Sequence, residues 1–172
     1  PTAFVGERRP RGWDGTSHWA ETEWASEIHV MDWDQLRFLA AQGWEVGSHT
    51  RTHPHLPELS DEELEAELSE SRADVERAMG MCSSIAYPYG ACDARVGRAA
   101  AAAGYAAGGG LLPDRLSHRD PHLFPRVFAG RRIPRPVLYR RAAPVHRRLQ
   151  GSAGWPAVAR LASLRGRLTG SR

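Results

Sequence analysis

Three histidines stand close together in the stretch Gly47-Ser48-His49-Thr50-Arg51-Thr52-His53-Pro54-His55. His49 and His53 are four apart, and His55 follows two residues later. Neutral imidazole is a good ligand for Zn²⁺ and related divalent metals. A His-x-x-x-His pair on a helix would place both rings on one face, but Pro54 disfavours helical backbone at His53. No Glu follows His49, so the helical zinc-protease motif does not fit. What remains is a ligand pair in a loop, with surface histidines as the alternative. Two imidazoles leave a site open, because a catalytic zinc takes about three protein ligands and a water. His49 and His53 are the candidate ligands, and His55 reads as a bystander.

The elements around the loop must hold it in place. Trp44-Glu45-Val46-Gly47-Ser48 reads as a short strand running into it, preceded by a helix over 33–42. That helix has Asp32 or Asp34 as its cap and Gly43 as its stop. After the loop, Ser60-Asp61-Glu62-Glu63 carries the Ser-x-x-Glu signature of a helix start. Leu64, Leu68, Ser71, Val75 and Met79 then recur at helical spacing until Gly80. The acidic outer face of this helix reads as solvated. Ser84-Ile85-Ala86-Tyr87 is the next strand and leads into Pro88-Tyr89-Gly90. Asp93 opens an Ala-rich helix to about Ala103, Tyr105–Gly108 reads as a strand, and so does 123–128 despite Pro125. Thr2-Ala3-Phe4-Val5 is a strand at the start.

Strand and helix thus alternate from 2 to 128, which predicts an α/β fold with a parallel sheet and outer helices. In such folds chemistry sits in loops after the carboxyl ends of strands. The His loop and the Tyr87-Pro88-Tyr89-Gly90 turn both occupy that position. Residues 7–31 form a long loop bearing Trp13, Trp19 and Trp24, which either line a groove or pin the loop down.

Charge divides the chain in two. Residues 1–120 hold 11 Arg and all 20 acids, a net −9, whereas 121–172 hold 12 Arg and no acid, a net +12. There is no Lys. Residues 129–172, broken by four prolines, read as a basic tail with an amphipathic helix near Val158–Leu168. Such a tail would meet an anionic surface: lipid, nucleic acid or an acidic partner. No apolar run is long enough for a transmembrane helix. Cys82 and Cys92 lack metal-type spacing and read as buried thiols, with a disulfide as the alternative. No signal peptide is visible, and the opening at Pro1 without an initiator Met predicts a preceding segment.

Gly43 to Leu56, followed by the acidic helix and Tyr87-Pro88-Tyr89-Gly90, resembles the polysaccharide deacetylases of the NodB-homology type, carbohydrate esterase family four. His49, Thr50 and His53 match that family's His-Ser/Thr-x-x-His motif. Tyr87, Pro88, Tyr89 and Gly90 match most of Arg-x-Pro-Tyr-Gly. The resemblance covers residues 1–128 and implies a distorted (β/α) barrel, here incomplete. It also implies a divalent metal, usually zinc, held by His49, His53 and one Asp. The metal would polarise an acetyl carbonyl and activate water, with a carboxylate as base and a His as acid. The implied reaction removes acetyl groups from a polysaccharide or amino sugar by hydrolysis of a non-peptide C–N bond. The backbone at Tyr89 would stabilise the oxyanion, and Tyr87, Pro88, Tyr89 and Gly90 would wall the substrate groove.

The departures from the family pattern fall on catalysis. The Thr-Phe-Asp-Asp-Gly motif, which supplies base and third ligand, precedes the strand matching Thr2–Val5 and is absent. Asp14 lies on the wrong side of that strand to replace it. No Arg stands at 84–86, so Arg126 is the candidate for the motif-three Arg. His118, in Leu116-Ser117-His118, has the letters of the family's late acid but comes early in the fold. The resemblance therefore predicts an impaired hydrolase acting on acetylated glycans. The alternative is a non-catalytic glycan-binding or interaction module. Envelope or secreted glycans are the family's usual setting.

Overall fold

The computed structural model describes residues 1–7, 22–27, 29–111, 120–126 and 136. The tail from 129 onward and the domain boundary proposed there lie outside these residues, Pro136 apart. So do Trp13, Trp19, Asp14 and His118, and the side chain of Trp24.

Three strands form a parallel sheet in sequence order: β1 (Ser84–Ala86), β2 (Ala107–Gly110) and β3 (Phe124–Pro125). Ser84 faces Ala107 and Gly109 faces Phe124. On the free side of β1, Ser48 makes one parallel bridge to Ile85. Its N–H donates to Ser84 O at 2.9 Å, and its carbonyl accepts from Ala86 N at 2.9 Å. The stretch 44–48 therefore follows the expected strand path but enters the ladder only at its last residue. Among the described residues the sheet does not close, as expected of an incomplete α/β barrel. Beyond residues 46–49 lies an apolar cavity of about 440 Å³, lined by Val5, Trp33, Leu36, Val46 and Val75.

The strand expected at 2–5 is not one. Thr2–Phe4 is a 3₁₀ turn, and Gly6 reverses the chain at φ 80°. Its β-prone residues find no ladder: the N–H groups of Thr2 and Ala3 instead donate to Thr50 O and Arg51 O, both at 3.0 Å. The first turn thus supports the His loop from outside the sheet.

The helices are built largely as their sequences predict. α1 (Trp33–Ala41) starts at a reciprocal capping box between Asp32 and Gln35. α2 (Asp61–Met79) has the same device in Ser60 and Glu63 and ends at Gly80 in the left-handed region. Such a cap contributes about 1 kcal/mol. α2 buries Leu64, Leu68, Ser71 and Val75, one stripe of the 3.6-residue period. α3 (Ala94–Ala102) is capped by Asp93 and buries Val96, Gly97 and Ala100. The core joins these to Leu56, Ile85, Tyr87, Tyr105 and Leu123. Cys82 and Cys92 are both buried and are not bridged to each other.

A line of hydroxyls crosses this core. Tyr105 Oη donates to Leu68 O and lies 3.0 Å from Ser71 Oγ. Ser48 Oγ donates to Ser71 Oγ at 3.0 Å. Ser48 and Ser71 are buried polar groups, and this pairing offsets their desolvation. The line ends at the base of the His loop.

Candidate functional site

The segment after Ser48 carries the two expected ligands. Thr50 and His53 are non-glycine residues with φ 66° and 69°. Left-handed backbone costs such residues about 1–2 kcal/mol each and persists only where surroundings impose it. Five hydrogen bonds impose it here. Thr50 N donates to Ser48 Oγ, and His53 N donates to Thr50 Oγ1, both at 3.1 Å. From outside, Glu67 on α2 accepts from the N–H groups of Arg51 (2.8 Å) and Thr52 (2.9 Å) and from Thr52 Oγ1 (2.5 Å).

The resulting turn brings the rings of His49 and His53 edge to face at 4.8 Å between centroids. His49 Nδ1 lies 2.5 Å from Ala86 O. A carbonyl can only accept, so Nδ1 carries the proton and Nε2 of the neutral ring presents its lone pair. Burial is the main cause holding the His49 pKa below its usual value, with nearby positive charge, Arg126 included, acting the same way. Burial, then His49 itself, pushes His53 down to about 4. Both imidazoles are therefore neutral near pH 7, the form that ligates metals. This donor set suits a divalent metal as far as it goes. Among the described residues, no group of three His, Cys, Asp or Glu is placed to complete a metal site.

The Tyr87-Pro88-Tyr89-Gly90 turn lies against this pair. Tyr89 sits at φ 55° and is 40% exposed, and its ring lies 4.6 Å from that of His53. His55, the expected bystander, stacks on Tyr89 at 4.0 Å and 4°. Tyr87 takes another place. Its ring is fully buried and its Oη donates to His122 O at 2.6 Å. Pro88 and Gly90 are buried too, so Tyr89 is the one residue of the turn exposed to a ligand. Gly90 combines φ 68° with Leu111 packed where a side chain would stand.

Arg126 does approach the site. Its Nη2 donates to Tyr87 O at 3.2 Å. It shares with His49 a cleft of about 450 Å³ whose other walls include Ser84, Ala86, Gly109 and Phe124. The proposed positions 84–86 hold no basic group, and Arg126 lies over Gly109, with its Cδ 3.0 Å from where a Cβ would stand. His122, the other late histidine, is tied to Tyr105 O at 2.8 Å through Nε2 and belongs to the scaffold.

The sequence model of the family described as "Polysaccharide deacetylase" matches residues 11–108, more than half of the chain. The chain belongs to the polysaccharide deacetylase family. Comparison with curated protein sequences gives no match. Among solved structures, the chain is similar to the Streptococcus pyogenes deacetylase PplD in complex with acetate, with a TM-score of 0.60 at 19% identity over 77% of this chain. It is similar to a polysaccharide deacetylase from Bacillus cereus, with a TM-score of 0.50 at 25% identity over 58% of this chain. It is also similar to a de-N-acetylase from Aggregatibacter actinomycetemcomitans, with a TM-score of 0.54 at 17% identity over 67%. It spans 57%, 33% and 54% of these proteins respectively. The α/β architecture with parallel strands is thus that of deacetylases. Among the described residues, no helix of this family member is long and apolar enough to cross a membrane.

Glu67 and His55 both bear on the site and escape a reading by sequence. Glu67 and Glu70 lie on the face of α2 expected to be merely solvated. Yet Glu67 grips the loop backbone, and Glu70 pairs with the Arg51 side chain at 2.5 Å. The signal that could have found them is their position, one turn apart on the helix that directly follows the loop. His55 is the second, signalled only by its nearness to an aromatic turn distant in sequence.

Proposed function

We propose that this chain carries the metal-binding half of a deacetylase site, in a hydrolase that removes acetyl groups from an amino-sugar polysaccharide. The observation that carries this is the pair of neutral imidazoles, His49 and His53, held side by side next to Tyr89. His49 and His53 would hold the metal, most simply zinc. When bound, it supplies Lewis acidity toward an acetyl carbonyl. Ala86 O fixes the His49 tautomer so that Nε2 points away from the backbone, as metal-ligating histidines require. Tyr89 and His55 form an aromatic wall on which a sugar ring can lie. The backbone N–H of Tyr89 would donate to the developing oxyanion. Arg126 places positive charge in the cleft shared with His49 and would orient a carboxylate. His118 is the candidate acid for the leaving amine.

The sequence contains no Asp-Asp pair. Hydrolysis by this stretch alone is therefore impaired, for want of a base and a third ligand. The test is a zinc titration of the full chain, followed by an acetate assay on an acetylated amino-sugar oligomer. The expected result is weak zinc binding that His49→Ala or His53→Ala abolishes, with acetate release at background. Zinc affinity indifferent to both substitutions would refute the metal reading. Rapid acetate release would refute the half-site. A second reading, a non-catalytic glycan-binding module, is favoured by the exposed Tyr89–His55 stack beside an incomplete donor set. Oligosaccharide affinity unchanged in His49→Ala but lost in Tyr89→Ala would select it. The basic segment 121–172 would then add contact with an anionic surface, measurable as binding that 0.5 M salt removes.

A further inference from the structure

We infer that Glu67 is a positioning residue of this site: its carboxylate grips the Arg51–Thr52 backbone and so sets the mutual geometry of the His49 and His53 rings. The inference rests on the metal reading only for its consequence, since the geometry itself is independent of it. Two consecutive N–H groups converge on one oxygen of Glu67, and the Thr52 hydroxyl occupies the other. Successive N–H groups in a turn form a concavity suited to an anion, and here a helix side chain fills it. Such charge-assisted bonds are roughly twice as strong as neutral ones.

The gripped peptides lie between two residues in left-handed backbone, Thr50 and His53. On the inner side the loop is braced by Ser48 and Thr50 hydroxyls. Those brace the N–H groups of 50 and 53 and leave 51 and 52 to Glu67. With Glu67 gone, the Arg51–Thr52 segment can rotate, and His53 can return to the negative φ that its side chain prefers. Its ring would then leave the 4.8 Å contact with His49. Glu70 is the internal control. It lies one turn further along α2 and carries the same charge, but pairs with the half-exposed Arg51 side chain rather than with the loop backbone.

The experiment uses the full chain with isotope-labelled histidine. A ring-to-ring nuclear Overhauser effect between His49 and His53 is expected in the metal-free parent protein and in Glu70→Gln. It is expected to be lost in Glu67→Gln. Glu67→Asp keeps the charge but withdraws the carboxylate by one methylene, and is expected to lose it too. Exchange of the Arg51 and Thr52 amides should rise at least tenfold in both Glu67 variants. Zinc affinity, by competition with a chromophoric chelator, should fall about 10- to 100-fold in both and stay within twofold in Glu70→Gln. Persistence of the ring contact in Glu67→Asp or Glu67→Gln overturns the inference. So does its loss in Glu70→Gln, which would make the effect one of charge alone. Absence of the contact in the parent protein overturns it as well. Failure of the parent to bind zinc would remove the metal reading, while the ring contact and amide exchange still decide the role of Glu67.

Discussion

Gly108 is where the scaffold under the Tyr turn can be tested most sharply. It lies in β2 opposite Ile85. A Cβ placed there would fall 2.0 Å from Tyr87 Oη, 2.6 Å from Tyr87 Cζ and 3.0 Å from His122 O. Van der Waals contact needs about 3.5 Å, so the phenol must move by more than an ångström. Tyr87 is fully buried, so there is no solvent to move into. Overpacking of this kind costs about 1–3 kcal/mol, and loss of the buried hydrogen bond to His122 O adds about 1 kcal/mol. Gly108→Ala should therefore destabilise by about 3 kcal/mol, near 6–12 °C in Tm for a chain of this size. Thermal and urea unfolding followed by circular dichroism measure this. Tyr87→Phe removes the closest clashing atom and alone should cost about 1–2 kcal/mol. In the double variant the two costs should fall short of additivity by about 1 kcal/mol or more, because the second change relieves the first. A Gly108→Ala protein within 0.5 kcal/mol of the parent, or strictly additive costs, would refute the reasoning. Because Tyr87 O also accepts from Arg126, the same variant should displace Arg126 from the cleft.

Arg95→Met should cost about 1–3 kcal/mol in urea unfolding. The guanidinium caps the carbonyls of Leu56, Pro57 and Leu59, each such bond contributing about 0.5–1.5 kcal/mol. Asp61→Asn should cost under 0.5 kcal/mol, because its pair with Arg95 is on an 88% exposed carboxylate. For pH, the His53 pKa falls from 6.5 unfolded to about 4 folded. Below pH 6.5 the unfolded chain binds the proton first, so stability is full above about 6.5 and is lost as pH falls toward 4. The unscreened ceiling is about 3 kcal/mol, reduced to roughly 1 kcal/mol because the ring is only partly buried. The metal-free protein should show this loss. His53→Asn, which tolerates left-handed backbone, should lessen it.

What the sequence makes legible follows from how local the physics is. α2 is readable because its cap, its stripe and its stop all lie within the helix. The strand over 2–5 misleads because β-prone residues need a ladder partner, and Thr2 and Ala3 spend their N–H groups on the His loop instead. β2 is displaced toward its glycines for a tertiary reason. At Gly108 the Tyr87 phenol occupies the space of a side chain, and at Gly109 Arg126 packs closely over the backbone, so a stretch of poor strand propensity becomes the centre of the sheet. The His pair and the Tyr-Pro-Tyr-Gly turn are visible as letters. Their division of labour is not: Tyr87 turns into the core and Tyr89 turns out, a distinction set by which side of the turn meets Gly108.

The strain in the His loop bears most directly on what the histidines are for. Surface histidines without a task would sit in relaxed backbone, since nothing would select against relaxation. Here two non-glycine residues within four positions, Thr50 and His53, hold left-handed φ, at a combined cost of about 2–4 kcal/mol. The protein opposes that cost from both sides. Buried hydroxyls running from Tyr105 through Ser71 and Ser48 reach the loop from within, and Glu67 closes it from without. The product of this effort is specific: two neutral rings within contact distance, one with its tautomer fixed by a backbone carbonyl. A scaffold that spends stability on the relative placement of two neutral imidazoles is what the proposed divalent-metal site would require.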